Sequence, residues 1–247
     1  MISRRAFMVE PGKIELRQVD VTPKEDEILV KVTVCGLCNW ELNHWRGTIG
    51  TYPQTVGHEC GGYVAAVGKN VDGFKEGDLV TALLPNMDGF SDYVAVHKTK
   101  CIKLGPHVNP LHAFGEPLKC VVTVVRAAAP ECGDIGAVMG CGPMGLWAIQ
   151  ALKGNLLSSL IAIDIDEDKL KLAKEFGADF AINPLKENVE DRIKEITDGH
   201  MADFVIDGTG SPGTVNTSIR CLRFGKGRLV LMSSYEGEAS FDYRTAM

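Results

Sequence analysis

A glycine-rich loop between two apolar runs carries the most specific chemical signal in this chain. The first run, residues 137–139, leads into the sequence GCGPMG at residues 140–145, and a helical pattern follows. The second run, residues 160–163, ends at Asp164. A strand, a GxGxxG loop, a helix and an acid after the next strand form a dinucleotide-binding fingerprint. An ordinary glycine-rich turn is the competing interpretation, and the coincidence of all these features disfavours it.

The residues of this loop have distinct physical roles in binding a dinucleotide. Gly140 allows the tight turn, Gly142 lets a pyrophosphate approach the backbone, and Gly145 lets the helix pack on the strand. Pro143 and Met144 belong to the helix N-terminus, whose free N–H groups face the phosphates. We therefore expect all five residues to belong to the cofactor site.

The acid after the second run predicts which dinucleotide is bound. A carboxylate at Asp164 can accept hydrogen bonds from a ribose 2′-OH, and the same charge repels a 2′-phosphate. Ile165 and Asp166, which follow it, offer no arginine for that phosphate. The sequence therefore predicts NAD rather than NADP. Lys169 is expected to flank the adenosine, with a solvated helix position as the alternative.

A second group of residues has the chemistry of a metal site. Cys38 and His58 supply a soft thiolate and an imidazole, and Glu59 and Glu116 supply carboxylates. These are the ligand types that zinc prefers in proteins. Each of these residues alone is weak evidence for a metal site. Cys35 and Cys38, for example, have CxxC spacing and could be a redox pair.

Two patterns of secondary structure must position these groups. Alternating runs separated by turn residues predict a mostly β domain over residues 1–133; these runs are residues 14–19, 28–34, 62–67 and 93–96. Apolar strands alternate with helices over residues 134–247, which predicts βαβ units and a parallel sheet of α/β class. The strands are expected near residues 135–140, 160–164, 179–182, 203–207 and 228–232, with a helix over residues 168–176 that Gly177 ends.

Composition excludes several classes of function. A net charge of −6 provides no basic footprint, so we expect no nucleic-acid partner. No apolar run is long enough to span a bilayer, so we expect no membrane partner, and the first ten residues lack the apolar core of a secretory signal. The eight cysteines are then expected to be free thiols or metal ligands, which predicts a cytoplasmic protein.

Several motifs in a fixed order resemble the zinc-dependent medium-chain dehydrogenase/reductase family, which includes alcohol and polyol dehydrogenases. The resemblance begins near residue 11 and runs to the chain end. The matching motifs are GLC at 36–38, GHECGG at 57–62, EGDLV at 76–80, FSDYV at 90–94, EPL at 116–118, GCGPMG at 140–145, FGAD at 176–179 and DGTGSP at 207–212. The resemblance implies a GroES-like catalytic domain followed by a Rossmann domain.

The resemblance also implies roles for individual residues. Cys38 and His58 are implied zinc ligands, and Glu116 stands where relatives have a cysteine or glutamate ligand. Glu59 is implied to be a direct ligand or to exchange with water at the metal. Glu41 stands where the family usually has an aspartate that supports the ligating histidine. The remaining cysteines near these motifs are expected to be packing residues: Cys35, Cys60, Cys120, Cys132 and Cys141.

The chain departs from the family pattern in its proton route and its second metal site. Relatives carry Ser or Thr where this chain has Trp40, and indole has a donor but no acceptor with which to relay a proton. The usual relay histidine is replaced by Asn43, beside His44. Residues 78–89 contain no cysteine, so we expect one catalytic zinc and no structural zinc.

The end of the chain is a third departure. The sequence stops at residue 247, where relatives continue with a sixth Rossmann strand, so we expect a Rossmann sheet without its last strand and a chain that is part of a longer protein. Strand 228–232 should then form an edge of the sheet, which favours self-association and weak or absent catalysis when this chain is expressed alone. The alternative is a complete, compact variant whose tail folds back over that edge. The full-length protein is expected to be a homo-oligomer.

Together these features predict an oxidoreductase that transfers a hydride between NAD and a secondary alcohol or polyol, or the matching ketone. Zinc would act as the Lewis acid and NAD as the hydride carrier. Thr209, in the DGTGSP motif, is expected to contact the cofactor. Two alternatives stay open: an inactive or partial nucleotide- and metal-binding fragment of such an enzyme, and a zinc-free quinone reductase of the same superfamily.

Overall fold

The computed structural model describes residues 1–234, 238 and 240, and it divides into two compact units. The first unit is Met1–Pro117 and the second is Leu118–Met247. None of the helices in the described part of the chain combines the length and apolar character needed to cross a bilayer. The end of the chain, residues 241–247, lies outside the described residues.

The first unit is built from two antiparallel sheets. Its strands are β1 (Ile2–Glu10), β2 (Lys13–Asp20), β3 (Glu27–Gly36), β4 (Gln54–Thr55), β5 (Glu59–Val67), β6 (Leu79–Leu83), β7 (Tyr93–His97) and β8 (Cys101–Lys103). The sheet orders are β2-β1-β4 and β7-β3-β5-β6-β8. Valines of β3, β5, β6 and β7 form one core, as alternating strands with one buried face do. Helix α1 (Asn39–Arg46) follows β3.

The second unit is an α/β sheet, as the sequence predicts. Its elements are α2 (Glu116–Ala128), β9 (Ile135–Met139), α3 (Pro143–Leu152), β10 (Ser159–Ile163), α4 (Glu167–Phe176), β11 (Phe180–Ile182), α5 (Val189–Ile196), β12 (Phe204–Asp207), α6 (Val215–Arg220) and β13 (Arg228–Leu231). All the strand pairs are parallel, in the order β11-β10-β9-β12-β13. The order reverses at β9, and in such sheets ligands bind beside that reversal.

Apolar side chains cover both faces of this parallel sheet. In β10, Leu160 and Ala162 pack into one core cluster, whereas Ile161 and Ile163 pack into another. A sheet that is buried on both faces needs continuous apolar strands, which explains why the strands could be recognised as apolar runs.

The division between the units lies between Pro117 and Leu118, before the boundary expected between residues 133 and 134. Helix α2 accounts for the difference. Its last turns carry Val124, Val125 and Ala128 into the core around β9 and β10, so this helix packs as part of the second unit.

Candidate active site

One buried carboxylate, that of Glu41, joins the two segments that carry the predicted thiolate and imidazole ligands. Glu41 is 2% exposed and lies in the first turn of α1, whose N-cap is Cys38. Its Oε2 accepts a hydrogen bond from the backbone N–H of Cys38 at 3.1 Å. Its Oε1 accepts from the backbone N–H of Gly57 at 3.2 Å and lies 2.7 Å from Nδ1 of His58. Glu41 therefore lies where the sequence predicts a support for His58, and it also holds the Cys38 loop.

The contact with Glu41 decides how the ring of His58 faces the site. A proton on Nδ1 that is donated to the carboxylate leaves Nε2 free to bind a metal, as in the carboxylate–histidine pairs of zinc proteins. Hydrogen bonds that the protonated imidazole donates to the side chains of Cys38 and Glu41 raise the pKa of His58 to about 10. A metal must therefore displace a proton from this imidazole, because only its neutral form is a ligand.

The predicted ligand residues lie together around His58. Ligand atoms of Cys38, Glu41 and His58 lie within 4.8 Å of one another, and so do those of His58, Glu59 and Glu116. Nε2 of His58 is 4.0 Å from Oε1 of Glu59. Burial raises the pKa of Glu59, the charge of His58 opposes the rise, and the carboxylate of Glu116 adds to it. A cation among these groups would relieve the repulsion between the two carboxylates.

Close backbone contacts bring the two glutamates to this place. Gly36, at the end of β3, pairs with Glu59, and a Cβ at Gly36 would lie 2.0 Å from Oε2 of Glu59. Only glycine leaves that carboxylate its space. Glu116 follows Gly115, whose backbone N–H donates to Oγ1 of Thr81 on β6 at 2.7 Å.

Trp40 has a defined orientation beside this cluster. Its indole N–H donates to Sδ of Met87 at 3.1 Å, and its ring meets the ring of His44 edge-on at 5.1 Å. The indole is 45% exposed, whereas Asn43 and His44 are buried. Nδ1 of His44 lies 2.8 Å from the carbonyl oxygen of Trp40, within their own helix. The sequence did not single out Met87, because its contact with Trp40 depends on the loop that follows β6.

A cavity of about 500 Å³ lies at the carboxyl ends of the central strands of the second unit. Five of the predicted cofactor residues line it: Gly140, Gly142, Asp164, Lys169 and Thr209. Pro143, Met144 and Gly145 are not among the lining residues and instead form the first turn of α3. A Cβ at Gly145 would lie 1.9 Å from the carbonyl oxygen of Gly140, so glycine is needed there for the helix to pack.

Backbone groups hold the carboxylate of Asp164 at one end of this cavity. Its Oδ2 accepts from the N–H of Cys141 at 2.7 Å, and its Oδ1 accepts from the N–H of Asp166 at 2.9 Å. Nζ of Lys169 is 4.0 Å from Oδ1 of Asp164 and 3.8 Å from Asp166. Hydroxyl groups that the sequence did not single out line another part of the cavity, which we call its wall: Ser211, Thr214 and Thr217. The hydroxyl-rich run after β12 was the available signal.

The cysteines expected to be packing residues differ in their surroundings. Cys60 and Cys141 are buried, Cys35 and Cys120 are half-buried, and Cys132 is exposed. The expectation for Cys132 is therefore wrong, because this residue lies in the turn before β9. Burial raises the pKa of Cys35 to about 12, in agreement with a packing role.

Comparison with known proteins finds similarity over both units. Residues 24–106 match the family described as "Alcohol dehydrogenase GroES-like domain", and residues 143–247 match "Zinc-binding dehydrogenase". L-threonine 3-dehydrogenase of Pyrococcus furiosus is 29% identical, with 93% of this chain and 75% of the relative covered. The same enzyme of Caldanaerobacter subterraneus is 30% identical, with 90% and 75% covered. The crystal structure of 2R,3R-butanediol dehydrogenase from Bacillus subtilis is 26% identical with a TM-score of 0.85, over 98% of this chain and 80% of that one.

Proposed function

We propose that this chain, which belongs to the zinc-type medium-chain alcohol and polyol dehydrogenase family, transfers a hydride between NAD and a secondary alcohol or polyol. It is an oxidoreductase that acts on alcohols or polyols and uses zinc and a nicotinamide cofactor. The names of two similar enzymes, L-threonine 3-dehydrogenase and butanediol dehydrogenase, specify secondary alcohols with a polar group on the next carbon. Substrates of that class are the first ones to test.

The observation that carries the proposal is the cluster of Cys38, His58, Glu59 and Glu116 around one imidazole. One thiolate, one imidazole and carboxylate oxygens suit zinc, and catalytic zinc sites use three protein ligands and keep a fourth position open. Cys38 and His58 are the proposed ligands, with Glu59 or Glu116 as the third. We propose one such ion in the chain and no structural zinc.

The residues of the chain prepare this site in three ways. Glu41 keeps the proton of His58 on Nδ1 and so directs Nε2 towards the ligand cluster. The same carboxylate keeps the loop of Cys38 in place through its backbone N–H. Glu59 is either the third ligand or the carboxylate that water or substrate replaces. When bound, zinc supplies a Lewis acid that polarises the oxygen of the alcohol.

The cavity of the second unit supports the proposed cofactor preference. The nicotinamide cofactor carries the hydride, and the protein contributes position and charge. Asp164, already oriented by two backbone N–H groups, can accept a hydrogen bond from a ribose hydroxyl and repels a 2′-phosphate. The N-terminus of α3 directs N–H groups towards a pyrophosphate.

The test is formation of NADH by the purified chain with a panel of secondary alcohols, vicinal diols, amino alcohols and polyols. We expect turnover in zinc-loaded protein, loss of turnover after chelation, and recovery when zinc is added back. The variant Cys38→Ser should lose zinc and turnover together. Glu175→Gln, at an exposed position of α4, is the control that should retain both.

Other results would favour the alternatives. Binding of NADH and zinc without turnover of any alcohol would indicate a nucleotide- and metal-binding protein. Reduction of a quinone by metal-free protein would indicate a zinc-free quinone reductase. Either result would contradict the proposed function.

A further inference from the structure

A buried carboxylate at the end of β12, Asp207, lies behind one wall of the nucleotide cavity. Its side chain is 0% exposed. Oδ1 accepts from the backbone N–H of Thr209 at 3.0 Å and from its hydroxyl at 2.7 Å. Oδ2 accepts from the hydroxyls of Thr214 and Ser218, both at 2.8 Å. One backbone N–H and three hydroxyl groups thus donate to the two oxygens of this carboxylate.

The hydrogen bonds of Asp207 reach from the core to the cavity. Thr209 and Thr214 line the cavity, whereas Ser218 is buried in α6. One carboxylate therefore ties β12, the loop that follows it and helix α6 to the same point. The wall cannot shift without breaking hydrogen bonds to this group.

The segment held by Asp207 also packs against the glycine loop. β9 and β12 are neighbours in the sheet, and Asp207 pairs with Met139, the last residue before Gly140. A Cβ at Gly140 would lie 3.0 Å from the backbone nitrogen of Thr209. The position of Thr209 is thus part of the shape of the loop that is proposed to receive the pyrophosphate.

The hydroxyl groups of Thr209 and Thr214 donate their hydrogen bonds to other groups of this cluster. The hydroxyl oxygens of Thr209 and Thr214 are 2.7 Å apart, and Thr214 also lies 2.8 Å from the carbonyl oxygen of Ser211. The proton of Thr209 has Asp207 and Thr214 as acceptors, and the proton of Thr214 has Asp207, Thr209 and this carbonyl. Oγ1 of Thr209 also accepts from the backbone N–H of Ser211 at 3.1 Å. Each hydroxyl has one proton and two lone pairs. Both protons are therefore directed into the cluster, and a lone pair that is left can face the cavity.

We propose that Asp207 is a positioning residue that sets the polarity of this wall. Because Asp207 accepts hydrogen bonds from Thr209 and Thr214, these hydroxyls present acceptors to the cavity. They can then bind hydroxyl or amide donors of a dinucleotide, but they cannot donate to its phosphates. This inference rests on the proposed function, because it assumes that the cavity binds the nicotinamide cofactor. An asparagine at position 207 would keep the shape of the side chain, but its NH₂ group is a donor where a carboxylate oxygen accepts. One threonine hydroxyl would then lose its acceptor, and its proton would turn towards the ligand.

The test is the dissociation constant of NADH for the full zinc-loaded chain, measured by fluorescence titration, with the thermal midpoint measured on the same samples. Asp207→Asn and Thr209→Val should each raise the NADH dissociation constant by about three- to tenfold, the usual effect of losing a hydrogen bond between uncharged groups. Thr209→Ser keeps the hydroxyl, and its NADH dissociation constant should stay within about twofold of that of the unchanged protein. At saturating cofactor, kcat should fall less than the affinity does.

A buried threonine elsewhere in the same unit separates positioning from general stability. Thr197 donates to the carbonyl of Ile193 at 2.7 Å and accepts from the N–H of Met201 at 2.9 Å, and it is not among the residues that line the cavity. Thr197→Val should lower the thermal midpoint and leave the NADH dissociation constant within about twofold. An unchanged dissociation constant in Asp207→Asn, or equal weakening in Thr197→Val, would overturn the inference alone. Absence of NADH binding to the unchanged chain would overturn the proposed function, and this inference with it.

Discussion

Replacing Glu41 with glutamine tests how far one buried carboxylate organises the metal site. The carboxylate accepts from the backbone N–H groups of Cys38 and Gly57 and lies 2.7 Å from Nδ1 of His58. In Glu41→Gln the single amide oxygen can face only one side. The amide NH₂ then meets either the N–H of Cys38 or the donors of Gly57 and His58.

The expected magnitude follows from those contacts. A buried donor that loses its acceptor costs about 1–3 kcal/mol. We therefore expect the free energy of unfolding to fall by about that amount, since at least one donor faces another donor. Removal of a carboxylate that supports a ligating histidine typically weakens metal binding by about 10–100-fold. The apparent dissociation constant for zinc in Glu41→Gln should rise by this factor.

The assay is competition for zinc with a chromophoric chelator, together with denaturant unfolding of the metal-free protein. Glu175→Gln makes the same change of charge at an exposed position of α4 and should bind zinc as the unchanged chain does. If Glu41→Gln retained zinc as tightly as Glu175→Gln, the assignment of Glu41 as the support of His58 would be refuted.

Three further predictions concern other parts of the chain. Asp164→Gly should reduce the preference in kcat/KM for NAD over NADP by at least about tenfold, because it removes both the acceptor for a 2′-OH and the repulsive charge; an unchanged ratio in steady-state kinetics would contradict this. Cys132 is exposed and should react with a thiol reagent well before Cys35, because burial raises the pKa of Cys35 to about 12. Mass spectrometry of labelled peptides would reveal the order of labelling, and equal rates at the two cysteines would contradict it. Hydrogen bonds from Arg4 lower the pKa of Asp92 from 3.8 to about 2, so the stability from this exposed pair, at most about 1 kcal/mol, is present above pH 3.8 and is lost as the pH falls through 2. The difference in urea midpoint between the unchanged chain and Asp92→Asn should therefore shrink as the pH falls towards 2 and vanish below it, and a difference that stays constant over this range would contradict the assigned pKa shift.

The parallel sheet was the most predictable part of the fold. Its strands are buried on both faces, and continuous apolar runs such as β9 and β10 therefore mark it in the sequence. Strand β1 was not predicted, because its buried positions include Ser3 and Ala6 and produce no clear apolar alternation. The buried hydroxyl of Ser3 is satisfied by Tyr93, far away in sequence: it donates to the carbonyl oxygen at 3.2 Å and accepts from the backbone N–H at 3.0 Å.

The candidate metal and nucleotide sites were predictable to different extents. Motif order selected the four candidate ligand residues, and the structure brings their ligand atoms together around His58. The sequence could not reveal that Glu41 also binds two backbone N–H groups, because this depends on how the loop of Cys38 meets the start of β5. Asp207 escaped notice for a similar reason, since its partners come from a loop and from α6.

Cys38, His58 and a glutamate are proposed to hold one catalytic zinc. X-ray absorption spectroscopy at the zinc edge of the loaded chain tests this most directly. We predict one sulfur ligand at about 2.3 Å with nitrogen and oxygen ligands at about 2.0–2.2 Å, and loss of the sulfur signal in Cys38→Ser. A spectrum without sulfur, one with several sulfur ligands, or one that is unchanged in Cys38→Ser would contradict the account.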